Sequence, residues 1–323
     1  MEPIKGLHHV TAVTRDAQLN VDFYRNVLGQ RLVKKTVNFD SPDTYHFYFA
    51  DEIGTPGSVL TFFAWPSMRQ GVRGNGETTA LAYNISASSV GFWQDYLRDK
   101  GVTVRPVEQR FGMNILPFDD PDGMRVELVA SEAAPGVRHW EDGPVPEAHA
   151  LAGFHSVTLW LEEIEPTADL LTNQMGYTFV AEEGNRYRFT GGVGSLASLL
   201  DIVHRPVQPE DMPLDALFGA GSIHHIAFRV PTDEEQLEYQ SALREAGYGV
   251  TPVRDRSYFH SIYYREPGGV LFEIATEGPG FAIDEPENSL GEALKLPAWL
   301  EPNHGVIEQS LTPITLKTVE KMR

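Results

Sequence analysis

Glu266-Pro267-Gly268-Gly269-Val270-Leu271-Phe272-Glu273 opens on a proline–glycine turn, continues through β-branched and aromatic residues, and ends on a carboxylate. Asp120-Pro121-Asp122-Gly123-Met124-Arg125-Val126-Glu127 repeats the pattern, with Glu at the same offset. A turn of this kind followed by such a run reads as a strand. A second repeat supports the first, because Leu7-His8-His9-Val10 is matched by Ile223-His224-His225-Ile226. One match alone is within reach of chance. Two kinds of match, each beside a helix that ends in glycine, are not.

Outward from these stretches the chain divides into four units, each a strand, a helix and further strands. In the first, residues 7–14 alternate as a strand. A helix follows from about Asp16, which serves as N-cap. Ala17, Val21, Tyr24 and Leu28 recur at helical spacing, and Gly29 stands where a helix-ending glycine belongs. Residues 45–50 and 58–65 then read as strands. The second unit opens at 80–85, has its helix near 89–100 before Gly101, and closes on the strand through Glu127. The third opens at 153–161, has a helix ending at Gly176, and closes at 199–203 through Asp201. The fourth opens at 222–230, has its helix near 232–246 before Gly247, and closes on the strand through Glu273. Proline- and glycine-rich residues 133–150 read as the joint between two halves, and 205–213 as a second connection. The domain expectation is therefore two units in 1–135, two in 150–280, and a tail, 281–323, packed on the body with its last residues frayed.

Strand alternation sets which side chains share a face. His225 lies with Ala227, opposite Ile226, Phe228 and Val230, and Glu273 lies with Leu271 and Ala275, opposite Val270, Phe272 and Ile274. His9 shares its face with Thr11. If the sheets curl into a cup, His9, His225 and Glu273 converge inside it. Two imidazoles and one carboxylate form a ligand set that holds one side of Fe(II) and leaves positions open for O2 and a substrate. A Glu within an apolar strand is otherwise costly unless paired or metal-bound. The corresponding position of the first unit, near Thr61-Phe62, offers no good fourth ligand. The middle units carry Ala80, Glu127, Ser156 and Asp201 at the equivalent places, a poor iron site that reads as degenerate and structural. A weak hard-cation site is the other reading of those two carboxylates.

Composition narrows the classes further. With no cysteine, disulfides, thiolate metal sites, iron–sulfur clusters and a cysteine nucleophile are excluded. A net charge of −19 repels phosphate backbones and anionic lipid, so nucleic acid is not an expected partner. The absence of a long apolar run argues against a membrane-spanning helix. The N-terminus lacks a basic segment followed by an apolar stretch, so a cytoplasmic protein is expected. A homo-oligomer is the default assembly.

The repeat with His9, His225 and Glu273 resembles the vicinal oxygen chelate superfamily, which includes extradiol dioxygenases and glyoxalase I. Gly6–Thr11, Tyr45–Gly57, Gly184–Arg188, Ile223–His225 and Pro267–Glu273 resemble more specifically the hydroquinone ring-cleaving dioxygenases. The resemblance covers nearly the whole chain. It implies an α+β fold of four βαβββ modules paired into two curved, cup-like sheets with helices outside. Spacing leaves open which modules pair. The resemblance also implies Fe(II), with Mn(II) as a substitute, one His ligand from the first module, and His plus Glu from the last. The expected substrates are a small aromatic diol of the para-hydroquinone type and O2.

Tyr263 and Arg256 match family positions near the metal, as do Thr11, His8 and His224. Alternation, however, points His8 and His224 to the packing side of their strands. Hydroquinone meets iron through one oxygen at most, so other groups must position the ring. Tyr263 is the expected acid–base group and Arg256 the stabiliser of negative charge, while Phe259 and Tyr258 read first as ordinary core aromatics and second as candidates to line a ring slot. The alternatives on the same scaffold are a catechol-type extradiol dioxygenase, a glyoxalase-like isomerase using Zn or Ni, and an aromatic-binding protein without redox chemistry.

Overall fold

The computed structural model describes residues 1–131, 137–192, 194–207 and 215–321. Four βαβββ modules follow one another. Module 1 comprises β1 (Leu7–Thr14), α1 (Ala17–Asn26), β2 (Arg31–Asn38), β3 (Ser41–Ala50) and β4 (Val59–Ala64). Module 2 comprises β5 (Glu77–Ile85), α2 (Val90–Asp99), β6 (Glu108–Arg110), β7 (Met113–Asp119) and β8 (Arg125–Ala130). Module 3 comprises β9 (Phe154–Leu161), α3 (Glu165–Asp169, extended by a π turn to Gln174), β10 (Thr178–Glu183), β11 (Arg186–Thr190) and β12 (Leu199–His204). Module 4 comprises β13 (Ile223–Val230), α4 (Asp233–Glu245), β14 (Arg254–Asp255), β15 (Phe259–Arg265) and β16 (Leu271–Pro279). Asp16 and Thr232 cap α1 and α4, accepting from the backbone N–H groups of Leu19 and Glu235.

Modules 1 and 4 build one curled eight-stranded sheet, β14-β15-β16-β13-β1-β4-β3-β2, and modules 2 and 3 build the other, β10-β11-β12-β9-β5-β8-β7-β6. Each half of the chain thus gives one module to each sheet. Within a module the first and last strands run parallel, and the two first strands meet antiparallel at the centre. Ile226, Phe228, Phe272 and Ile274 pack outward with the helices in the main core, whereas Ala227 and Ala275 belong to a smaller cluster inside the first cup.

Strand β2 is not legible as a strand in the sequence, because Lys34 and Lys35 interrupt it. Lys34 is fully buried and is neutralised by Asp284 and Glu285 of the C-terminal segment, with its ammonium 4.9 Å from the Tyr258 ring. That segment also bridges Leu294 to Lys35, forms α5 (His304–Ser310), and returns to α1 through Gln18–Thr315 and Asp22–Lys317 contacts. Asp51 organises the loop after β3, accepting from the N–H groups of Ile53, Gly54 and Thr55. Gly54 there has φ +83°, and a Cβ would lie 2.4 Å from Phe281. Parts of both proposed connections, 132–136 and 208–213, and the frayed end at 322–323, lie outside the described residues.

Candidate active site

His9 on β1, His225 on β13 and Glu273 on β16 converge, each offering a ligand atom within 4.8 Å of the others. They form the only such group among the described residues. Glu273 is fully buried, its Oε2 lying 2.9 Å from His225 Nε2 and 3.4 Å from His9 Nε2. The Ser261 hydroxyl donates to Oε1, whereas Oε2 has no hydrogen-bond partner. Burial pushes the Glu273 carboxyl up, but His9 and His225 outweigh it and hold it well below the usual carboxylate range. Burial also lowers the His225 imidazole, against the opposing pull of Glu273. Two imidazole nitrogens and an unpartnered carboxylate oxygen aimed at one point fit a divalent metal ion.

The side from which His8 and His224 act departs from strict alternation. In the β1–β13 ladder, Leu7 faces Phe228 but His9 faces Ala227, and Thr11 faces His225 but Ala12 faces Ile223. His8 and His224 are therefore the extra residues of two β-bulges, which re-aim side chains. His8 Nδ1 lies 3.0 Å from His9 Nδ1, and His224 Nδ1 lies 2.7 Å from His225 Nδ1. Burial, reinforced by the neighbouring His, lowers both His8 and His224 to about 3, so both are neutral acceptors at ordinary pH. Each double histidine is thus a ligand candidate and the residue that fixes its tautomer, leaving the Nε2 lone pair free to ligate. His224 also lines the cavity, whereas His8 packs against Phe259.

That cavity, of about 370 Å³, opens beside the three ligands. The volume suits a small organic ligand. Tyr263, beside Glu273 in the ladder, receives a hydrogen bond from Arg256 Nε at 3.1 Å. Burial, then Glu273, raises the Tyr263 hydroxyl, so it stays protonated at neutral pH. Burial works against the Arg256 charge, but Tyr263, Asp40 and Glu273 raise it on balance. Phe259 lines the cavity. Tyr258 does not: it lies behind, against Tyr48, Phe281 and Lys34, and donates to Asp284, which makes it the core aromatic of its two readings. The C-terminal segment claims its hydroxyl, which no local pattern announces.

Thr61 occupies in module 1 the place that Glu273 occupies in module 4, since Thr11 faces Thr61 and Ala227 faces Glu273. It is bonded to Thr11 and His46, not poised as a ligand. Sequence reasoning missed His46, Tyr48, Phe63 and Trp65 on the same wall, and Asn38, Phe39 and Asp40 at the β2–β3 turn. His46 lies within the Tyr45–Gly57 stretch, but its role needs the partner strand to be known. In the second cup Glu127 is held by Arg110, and Asp201 by Arg186 and Arg188. Those arginines satisfy the carboxylates, whereas among the described residues Glu273 meets imidazoles and no arginine or lysine.

The fold and site define a paired βαβββ protein with a buried His-His-Glu group beside a cavity. The family model described as Glyoxalase/Bleomycin resistance protein/Dioxygenase superfamily matches residues 6–128 and 143–274, and the chain belongs to that superfamily. It is 44% identical over 317 residues to "Putative ring-cleaving dioxygenase MhqO" of Bacillus subtilis (strain 168), covering 98% of each. It is 38% identical over 311 residues to the chlorohydroquinone/hydroquinone 1,2-dioxygenase of Sphingobium indicum (strain UT26S), covering 93% of this chain and 94% of the relative. A solved Bacillus subtilis subsp. subtilis str. 168 structure with a similar dioxygenase name superposes with TM-score 0.92 at 42% identity, covering 100% of both chains. Glyoxalase I from Zea mays shares the fold alone, with TM-score 0.62 at 14% identity over 84% of this chain and 92% of that one. No helix is long and apolar enough to cross a membrane among the described residues.

Proposed function

We propose that this protein is an Fe(II)-dependent ring-cleaving dioxygenase acting on a para-hydroquinone-type ring, with His9, His225 and Glu273 as ligands. The observation that carries the reading is the convergence of these three groups on one point, with Glu273 Oε2 unpartnered and Thr61 in place of a fourth ligand. The sequence relatives named as ring-cleaving dioxygenases support it, one of them named for hydroquinone substrates. Fe(II) held there, or Mn(II) in its stead, would bring O2 and a ring oxygen together and carry electron density between them.

The rest falls to the chain's own side chains. Phe259, Phe63, Trp65 and Leu271 give the ring an apolar slot and keep bulk water from it. Tyr263, kept protonated, donates to an oxygen of the reacting ring and returns the proton as charge shifts. Arg256 fixes the Tyr263 hydroxyl and stabilises negative charge developing beside it. Anaerobic loading with Fe(II), followed by O2 uptake with hydroquinone and with catechol, tests the reading. Uptake with hydroquinone that vanishes in His225→Ala and Glu273→Ala is the expected result. Uptake with catechol alone moves the protein to the extradiol class. No uptake despite stoichiometric iron defeats the assignment.

A further inference from the structure

The two modules of the first sheet are related by an internal pseudo-twofold, and it relates more than the ligands. Tyr48 faces Thr61 in the β3–β4 ladder just as Tyr263 faces Glu273 in the β15–β16 ladder. His46 stands two residues before Tyr48, as Ser261 stands two before Tyr263. Ser261 holds the Glu273 carboxylate, and His46 Nε2 correspondingly meets Thr61 Oγ1 at 2.8 Å. The tyrosine paired with Arg256 on one wall thus has a counterpart paired with an imidazole on the other.

That counterpart belongs to a continuous chain of hydrogen bonds. Tyr48 Oη lies 3.0 Å from His46 Nδ1, His46 Nε2 lies 2.8 Å from Thr61 Oγ1, and Thr61 Oγ1 lies 2.8 Å from Thr11 Oγ1. Both end residues, Tyr48 and Thr11, line the cavity, as does His46. Thr11 and Thr61 are fully buried. Burial holds His46 well below the usual imidazole range, so it is neutral and carries one ring proton. A chain of hydroxyls around a neutral imidazole has two self-consistent orientations. In one, Tyr48 donates to Nδ1, Nε2–H donates to Thr61, Thr61 donates to Thr11, and Thr11 presents its proton to the cavity. In the other every donor is reversed, and Tyr48 presents the proton.

We propose that Tyr48, His46, Thr61 and Thr11 form a proton relay along the module 1 wall, taking the proton of a ring hydroxyl at Tyr48 and releasing one at Thr11. It rests on the reading of the cavity as a site for an aromatic diol. The ring O–H bond breaks as its proton joins Tyr48 Oη. The Tyr48 proton passes to His46 Nδ1, the Nε2 proton to Thr61, and the Thr61 proton to Thr11. The Thr11 proton passes to a cavity water beside His9. Each link loses one proton and gains one, no electrons move, and His46 ends in the other tautomer. A diol with hydroxyls on opposite edges of the ring meets an acid–base group on each wall, Tyr263 on one and Tyr48 on the other.

The decisive experiment loads the protein with diamagnetic Zn(II), labels its histidine nitrogens for NMR, and titrates hydroquinone in the absence of oxygen. The expected result is that the protonated and unprotonated nitrogens of His46 exchange places in the wild type but not in Thr61→Val, which keeps the shape and removes the middle link. A wild-type His46 whose nitrogens ignore hydroquinone overturns the relay. With Fe(II) and O2, Thr61→Val and Tyr48→Phe are each expected to lower kcat by about tenfold or more. Iron content should be unchanged in both, Thr61→Val should keep its KM, and the double variant should be no slower than either single one, because both cut the same chain. Thr61→Val with wild-type kcat also overturns the relay. A wild type that consumes no O2 while His46 still responds to hydroquinone defeats the dioxygenase reading and leaves the relay standing.

Discussion

Replacing His8 with leucine tests whether the doubled histidines are built to hold a metal. His8 accepts at 3.0 Å from the Nδ1 side of His9, and at 2% exposure it is shut off from bulk water. Without a metal, a His9 that has lost this partner can carry its proton on Nε2 and turn it toward Glu273 Oε2, 3.4 Å away. With a metal bound, Nε2 is occupied and the Nδ1–H is stranded. The penalty therefore falls on the loaded state alone. A buried donor without a partner costs about 1–3 kcal/mol. At 1.4 kcal/mol per factor of ten, Fe(II) binding should weaken by about 5- to 150-fold. The range overlaps the loss usually seen, about 10- to 100-fold, when a ligand histidine loses its supporting partner. Anaerobic Fe(II) titration against a chromophoric chelator measures the change. His8→Asn, whose carbonyl can accept, should recover part of it. A folded His8→Leu protein with unchanged affinity would refute the reasoning.

Three other outcomes are expected. Lys34→Met should cost about 3–5 kcal/mol in urea unfolding, because it leaves Glu285 buried and unpaired, and Lys34→Met/Glu285→Leu should recover most of it. Burial raises the Glu77 carboxyl to about 7, above its unfolded value of 4.5, so the folded state binds its proton more tightly. Stability from this group is full below about pH 4.5 and is lost as pH rises through about 7, by roughly 3 kcal/mol. Glu77→Gln should flatten that slope, and an unchanged pH profile of unfolding would contradict it. Asp201→Ala should destabilise the fold by unpairing Arg188 while metal analysis finds the iron content unchanged, and a fall in iron would make the second cup a metal site after all.

Much of the architecture is legible in the sequence because its signals are local. Asp16 and Thr232 cap helices through their own next turns. The strands carrying His9, His225 and Glu273 announce themselves by alternation and by repetition between modules. The same local logic misreads what depends on a partner strand. Alternation sent His8 and His224 to the packing side, yet a bulge in the β1–β13 ladder brings each to its ligand neighbour. Strand β2 was hidden by Lys34, whose partners Asp284 and Glu285 stand at the other end of the chain. Sequence leaves Tyr258 between core and cavity, and the same segment decides it by claiming its hydroxyl.

By itself, then, the sequence determined the number of repeated units, the three ligand candidates and the absence of a good fourth, because each is written in residue type at a repeated offset. Only the tertiary structure decided that module 1 pairs with module 4 and module 2 with module 3, since spacing within a module carries no information about its neighbour. It also decided that one cup is closed by Arg110, Arg186 and Arg188 while the other keeps an unpartnered carboxylate oxygen. A carboxylate's role depends on which cation reaches it, and that is settled by distances across the fold rather than along the chain.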